Sequence, residues 1–128
     1  MSGSLLDTSV LIADESAAAE LPPTAAISVI TVGELNAGVH MARTESVRDA
    51  RSRRLEAVRR AFAPLPIDEP VAERYGELLA FARSRRRSEK ASDLLILATA
   101  AAGGRTLHTL DRRQAELARA AGIEVVAV

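Results

Sequence analysis

Short apolar runs alternate with helix-period stretches along almost the whole chain, and no other feature restricts the fold as strongly. Leu5–Asp7 predicts a short buried strand, and Thr8–Ala13 a short helix behind it. "AAISVI", ending at Ile30 after the loop-forming Pro22-Pro23, predicts a second strand. "TVGELNAGVHMA" then sets Val32, Leu35 and Val39 on one helical stripe, and residues 45–62 form a further helix with Val47, Leu55, Val58 and Phe62 inward. Arg51 falls inside that apolar arc, either snorkelling to its edge or pointing into a groove. "LPI" (Leu65–Ile67) is a third strand. A long helix follows, with Val71, Tyr75, Leu78, Leu79 and Ala82 spaced at three and four.

"DLLILATAAA" (Asp93–Ala102) is uncharged after its first residue and apolar all round, so it predicts a buried helix, capped by Gly103-Gly104. Thr106–Thr109 is a fourth strand, residues 112–121 a helix stopped by Gly122, and Glu124–Val128 a last strand. Strands that alternate with helices across short loops imply a mainly parallel sheet of four to five strands with both faces covered. In such sheets ligands gather outside the carboxyl ends of the strands.

The chain is expected to be a single domain over residues 1–128, long enough to bury roughly 65–70 % of its unfolded surface. It has no cysteine, which removes disulfides, thiolate nucleophiles and Cys-based zinc sites, and fits a cytoplasmic setting. The opening "MSGS" lacks the basic region and apolar core of a secretion signal, and residues 1–4 receive no structural weight. No membrane association is expected. The formal net charge is zero, but its distribution is uneven: Arg43–Arg60 holds seven Arg against three acids, and Arg83–Lys90 four Arg and a Lys against one Glu. Three aromatics (Phe62, Tyr75 and Phe81) are too few for a base-stacking platform.

Four acids stand near strand ends or helix starts: Asp7, Glu34, Asp93 and Asp111. Each has an innocent local reading. "TVGE" (Thr31–Glu34) matches a capping box, Asp111 suits an N-cap, Asp93 favours a helix dipole, and Asp7 can cap the helix at Thr8. Together they say more, because right-handed crossovers bring all four positions toward one edge of a parallel sheet. Two carboxylates ~5 Å apart repel by about 3 kcal/mol at an effective dielectric of about 20. Several such pairs would consume much of a small domain's net stability, on the order of 5–15 kcal/mol. Either the acids diverge or a cation sits among them. An all-carboxylate shell suits Mg²⁺ or Mn²⁺ rather than zinc. His40 and His108 stand in no ligand pattern and read as surface or packing residues. Such ions serve phosphoryl chemistry, activating water and neutralising charge in an in-line displacement. Ser9 and Thr109 supply hydroxyls that would orient the acids, and the basic segments would receive a polyanion at the rim of the site.

"LLDTSVLI", "ITVGELNAGV", "SDLLILATAAAGG" and "TLHTLD" resemble, in order, the four motif blocks of the PIN domain, with the VapC toxins of bacterial toxin–antitoxin pairs the best match. The resemblance implies a three-layer α/β/α sandwich, a Mg²⁺- or Mn²⁺-dependent endoribonuclease acting on RNA, inhibition by a cognate VapB-like antitoxin, and a homodimer. Carried over by position, the acidic site is Asp7, Glu34, Asp93 and Asp111, with Thr109 beside it. One departure concerns the fourth block. Family members often carry an acid and an aromatic soon after its Asp, whereas Gln114 and Ala115 follow here, so one tightly held ion is expected.

Two other readings remain open on the sequence. A domain that binds RNA or a protein without cutting fits the weakened fourth block. A phosphatase of the haloacid-dehalogenase type wants a second Asp two positions after the first, where this chain has Ser9. Around Val39, Met41 and Phe62, apolar surface beyond the needs of one core would suit a partner helix.

Overall fold

The computed structural model describes residues 3–13 and 24–127. Among these the elements run β1 (Ser4–Leu6), α1 (Thr8–Leu11), β2 (Ala25–Ser28), α2 (Val29–His40), α3 (Glu45–Ala61) and β3 (Pro64–Leu65). They continue with α4 (Glu69–Ser84), α5 (Ala91–Ala102), β4 (Thr106–Thr109), α6 (Arg112–Ala120) and β5 (Val125–Ala127). The Pro22-Pro23 loop and Val128 lie outside the described residues. The five strands form one sheet, ordered β3-β2-β1-β4-β5, and every pairing is parallel. The expected α/β/α layering is therefore present, with β1 at the centre of the sheet.

Leu5 and Leu6 show how the layers are held. Successive strand residues point to opposite faces. Leu5 enters a core with Leu107 of the sheet, Leu78 of α4, Leu94 and Leu97 of α5, and Leu117 of α6. Leu6 enters the other core with Ile27, Leu35 of α2 and Val58 of α3. Helix α5 has six fully or nearly buried residues, consistent with its lack of any polar stripe. It leads through Gly103-Gly104 directly into β4, so its first turn lies at the carboxyl edge of the sheet. That places Asp93 level with the strand ends.

Three helices end in the same C-terminal motif, with the residue beyond the cap left-handed. Gly104 (φ 60°) and Gly122 (φ 82°) suit that conformation, whereas Arg86 (φ 57°) occupies it after α4. The Arg87 main-chain N–H donates back to the Ala82 carbonyl at 2.9 Å, as Arg105 does to Ala100 and Ile123 to Ala118.

Several boundaries differ from the sequence-based expectation. The second strand stops at Ser28, not Ile30, because the Ser28 hydroxyl accepts from the Ile30 N–H at 3.0 Å and starts α2 there. The third strand is Pro64–Leu65 rather than Leu65–Ile67; Pro66 has no N–H with which to extend the ladder. In α3 only the C-terminal half, through Leu55 and Val58, packs on the sheet, with Phe62 just beyond it, and Val47 is 40% exposed. Arg51 ties α3 to α2 by donating from Nη1 to the Gly38 carbonyl at 2.7 Å. No helix among the described residues is long and apolar enough to cross a membrane.

Candidate active site

Asp7 follows β1 at the middle of the carboxyl edge and is 5% exposed. It occupies the N-cap position of α1, yet its side chain caps nothing. Its Oδ2 instead accepts from the Ser9 hydroxyl at 2.7 Å and the Thr109 hydroxyl at 2.8 Å. Each hydroxyl has one proton. Both protons go to Asp7, so the 3.3 Å approach between Ser9 and Thr109 carries none. Their lone pairs face the β4–α6 turn: Ser9 accepts from the Leu110 N–H at 2.9 Å, and Thr109 from the Asp111 N–H at 3.0 Å. The two hydroxyls wire the first acid to the turn bearing the fourth.

Glu34 lies in the second turn of α2, because the helix begins at Val29. The capping-box reading with Thr31 therefore fails: Ser28 is the cap, and Glu34 Oε1 accepts from the Thr8 hydroxyl at 2.6 Å. Thr8 in turn lies 3.0 Å from the Thr31 hydroxyl. Having given its own proton to Glu34, it accepts there. For Asp111 the local reading holds. Its Oδ1 accepts from the main-chain N–H groups of Arg113 and Gln114 at 2.9 and 3.2 Å and caps α6. Asp93 sits in the first turn of α5, as expected from the helix dipole.

These acids feel one another. Burial raises the Asp93 pKa above the ordinary carboxyl value, and the negative charges of Glu34, Asp7 and Asp111 raise it further, against the pull of Lys90. Among the described residues no three Asp, Glu or His side chains are close enough to grip one ion as placed. The two facts concern different ranges. Asp93 lies within electrostatic range of the other three carboxylates, which as placed do not converge to ligand distance.

The distribution of hydrogen bonds fits a hard cation. Asp7, Glu34 and Asp111 each commit one oxygen to neighbours (Oδ2, Oε1 and Oδ1), and among the described residues the other receives no donor. Asp93 commits neither oxygen. The donor set is all carboxylate, suited to Mg²⁺ or Mn²⁺. The His108 ring is not bonded to any of the four acids; its Nε2 pairs with the Ser4 hydroxyl at 3.1 Å, and burial lowers its pKa.

Sequence reasoning missed Thr8, Gln114, Lys90 and Glu89. Buried Gln114 donates from Nε2 to the Asp93 main-chain carbonyl at 3.0 Å and so braces the start of the helix that carries Asp93. Thr8 had one available signal, adjacency to Asp7. Gln114 had none, since its partner is 21 positions away. Arg113 is solvent-exposed and also donates to Glu89 Oε2 at 3.0 Å. Of the apolar surplus expected near α2, Met41 is 70% exposed, while Phe62 packs into the core.

The family profile described as PIN domain matches residues 4–120. Ribonuclease VapC8 of Mycobacterium tuberculosis is 44% identical over 100 residues, covering 75% of this chain and 88% of that protein. Ribonuclease VapC5 of the same organism is 35% identical over 128 residues, covering 97% and 94%. A crystal structure of a member of the VapBC family of toxin-antitoxin systems, VapBC-5 from Mycobacterium tuberculosis, superposes over 100% of both chains with a TM-score of 0.85 at 35% identity.

Proposed function

The chain belongs to the PIN-domain family, among its VapC ribonucleases, and on that premise we propose that it is the endoribonuclease toxin of a type II toxin–antitoxin pair. The observation that supports the reading is that Glu34, Asp7 and Asp111, from separate elements, all act electrostatically on Asp93, while among the described residues each of these three keeps one carboxylate oxygen, and Asp93 both, without a donor. Asp7, Glu34, Asp93 and Asp111 would hold Mg²⁺ or Mn²⁺, with Ser9 and Thr109 aiming Asp7. When bound, such an ion supplies Lewis-acid polarisation of a phosphate oxygen and of water.

The chain's own groups do the rest. A free carboxylate oxygen takes the proton of the attacking water as its oxygen joins phosphorus. One ester P–O bond breaks, and the departing oxygen takes a proton from solvent. Arginines of α3 and of the segment after α4 meet the RNA backbone outside the acidic pocket. A cognate VapB-like antitoxin covers the exposed apolar surface at Met41 and Val47 and neutralises the acids with basic side chains. A homodimer acting in the cytoplasm completes the reading.

The test is cleavage of total RNA by purified chain, with Mg²⁺ or Mn²⁺ titrated against chelator. Asp93→Asn is expected to lose activity by on the order of a hundredfold or more while keeping its circular dichroism. Wild-type cleavage by that variant would refute the site. Metal-independent RNA binding without turnover by the unaltered chain would favour a non-catalytic binding module instead.

A further inference from the structure

Asp93 and Asp111 reach the site from two different helix starts, so something must set the distance between α5 and α6. Gln114 supplies one tie, through the Asp93 carbonyl. The second lies just outside the acids. Glu89, four residues before Asp93, has a side chain only 3% exposed. Its Oε2 accepts three donors: Arg87 Nε at 3.0 Å, Arg113 Nη2 at 3.0 Å and Arg113 Nε at 3.2 Å. Arg113 Nη2 also donates to the Ser88 carbonyl at 3.0 Å, and Arg87 Nη2 to the Arg113 carbonyl at 3.4 Å.

An exposed ion pair does little. This one differs on the acid's side: Arg113 is 61% exposed, but the Glu89 carboxylate is buried and receives two nitrogens of the guanidinium. The Arg113 main-chain N–H also donates to Asp111 Oδ1, the oxygen with which Asp111 caps α6. A single residue thus holds Asp111 through its backbone and the lead-in to Asp93 through its side chain.

We propose that Glu89 and Arg113 are positioning residues, whose clamp, anchored on the buried Glu89 carboxylate, fixes the separation of Asp93 from Asp111 and thereby the strength with which the site takes a hard divalent cation. The inference rests on the metal-site reading above. The clamp residues touch neither ion nor substrate; they act through the two helix starts. Residues that orient ligands in this way commonly change metal affinity by about tenfold or more when altered.

The experiment is calorimetric titration of the metal-free full chain with Mn²⁺, for the unaltered protein and for Glu89→Gln, Arg113→Gln, their double variant, Arg113→Lys and Asp93→Asn. Each single clamp variant is expected to bind Mn²⁺ about tenfold more weakly, with Arg113→Lys in between. The double variant should be no worse than either single one, because one device is being broken twice. Circular dichroism and the melting curve confirm folding at the titration temperature. If Glu89→Gln does not fold, Arg113→Lys, which keeps the charge but loses the two-pronged grip, decides the matter.

Mn²⁺ binding within twofold of wild type in the clamp variants, beside loss in Asp93→Asn, would overturn this inference alone. Recovery of affinity in the double variant would also overturn it, since Arg113 would then be a competing counter-ion. No uptake by the unaltered chain, or unchanged uptake by Asp93→Asn, would overturn the metal reading and this inference with it.

Discussion

The candidate site has two halves that aim their acids by different means. In the first, Asp7 and Glu34 are held by neutral hydroxyls from Thr8, Ser9 and Thr109. In the second, Asp93 and Asp111 depend on main-chain amides, on the Gln114 side chain and on the charged Glu89–Arg113 clamp. A hydroxyl fixes one carboxylate oxygen without cancelling the negative charge, so an acid as buried as Asp7 keeps its attraction for a cation. In the second half, arginine is bonded to Glu89, and Arg113 and Lys90 only partly offset the negative charge of the acids beside them.

The largest effect that would break this comparison comes from the hydroxyl half. Thr109→Val removes a donor to Asp7 and an acceptor for the Asp111 N–H at a fully buried position. It is expected to cost roughly 1–3 kcal/mol in chemical denaturation, together with about tenfold or more in RNA cleavage. Unchanged cleavage would mean that Asp7 needs no aiming.

In the second half the sign reverses for stability. Asp93→Asn is expected to raise the melting temperature of the metal-free chain at neutral pH by a few degrees. The sign follows from the direction of the Asp93 shift: its folded pKa lies above the unfolded value of about 3.9. The protonated group's contribution is complete below that value and is lost as pH rises through the folded pKa. The advantage of the Asn variant should therefore be small below about pH 4 and grow toward neutrality. Melting curves across that range that showed no growing advantage would mean that the folded carboxyl of Asp93 is not held above its ordinary value by burial and its acidic neighbours.

The smallest effect concerns the segment leading to the clamp. Arg86→Gly relieves a left-handed backbone at a side chain that is exposed, and should stabilise the chain by about 1 kcal/mol. A neutral or negative result in denaturant would show that the Arg86 side chain contributes there what its backbone costs.

Much of this architecture was legible beforehand, because helix and strand periods are written locally. The buried character of α5, the stops at Gly104 and Gly122 and the order of elements all follow from residues within a turn or two. Boundaries failed where two local signals competed. Ser28 and Thr31 both suit an N-cap, and the choice of Ser28 moved Val29 and Ile30 from strand to helix and Glu34 out of its capping box. The inward placement of Val47 failed for another reason: periodicity says which face of α3 is apolar, not how far the sheet extends beneath it.

The sequence by itself determined the alternation of strands and helices, the position of three of the four acids at strand ends or helix starts, and a donor chemistry limited to carboxylate and hydroxyl. Tertiary structure alone decided which carboxylate oxygens of Asp7, Glu34 and Asp111 are committed to neighbours. Thr8 meets Glu34 across 26 positions and Thr109 meets Asp7 across 102. Those meetings depend on strand order and register, set by the packing of the whole sheet, and a periodicity of two or 3.6 residues contains no information about them.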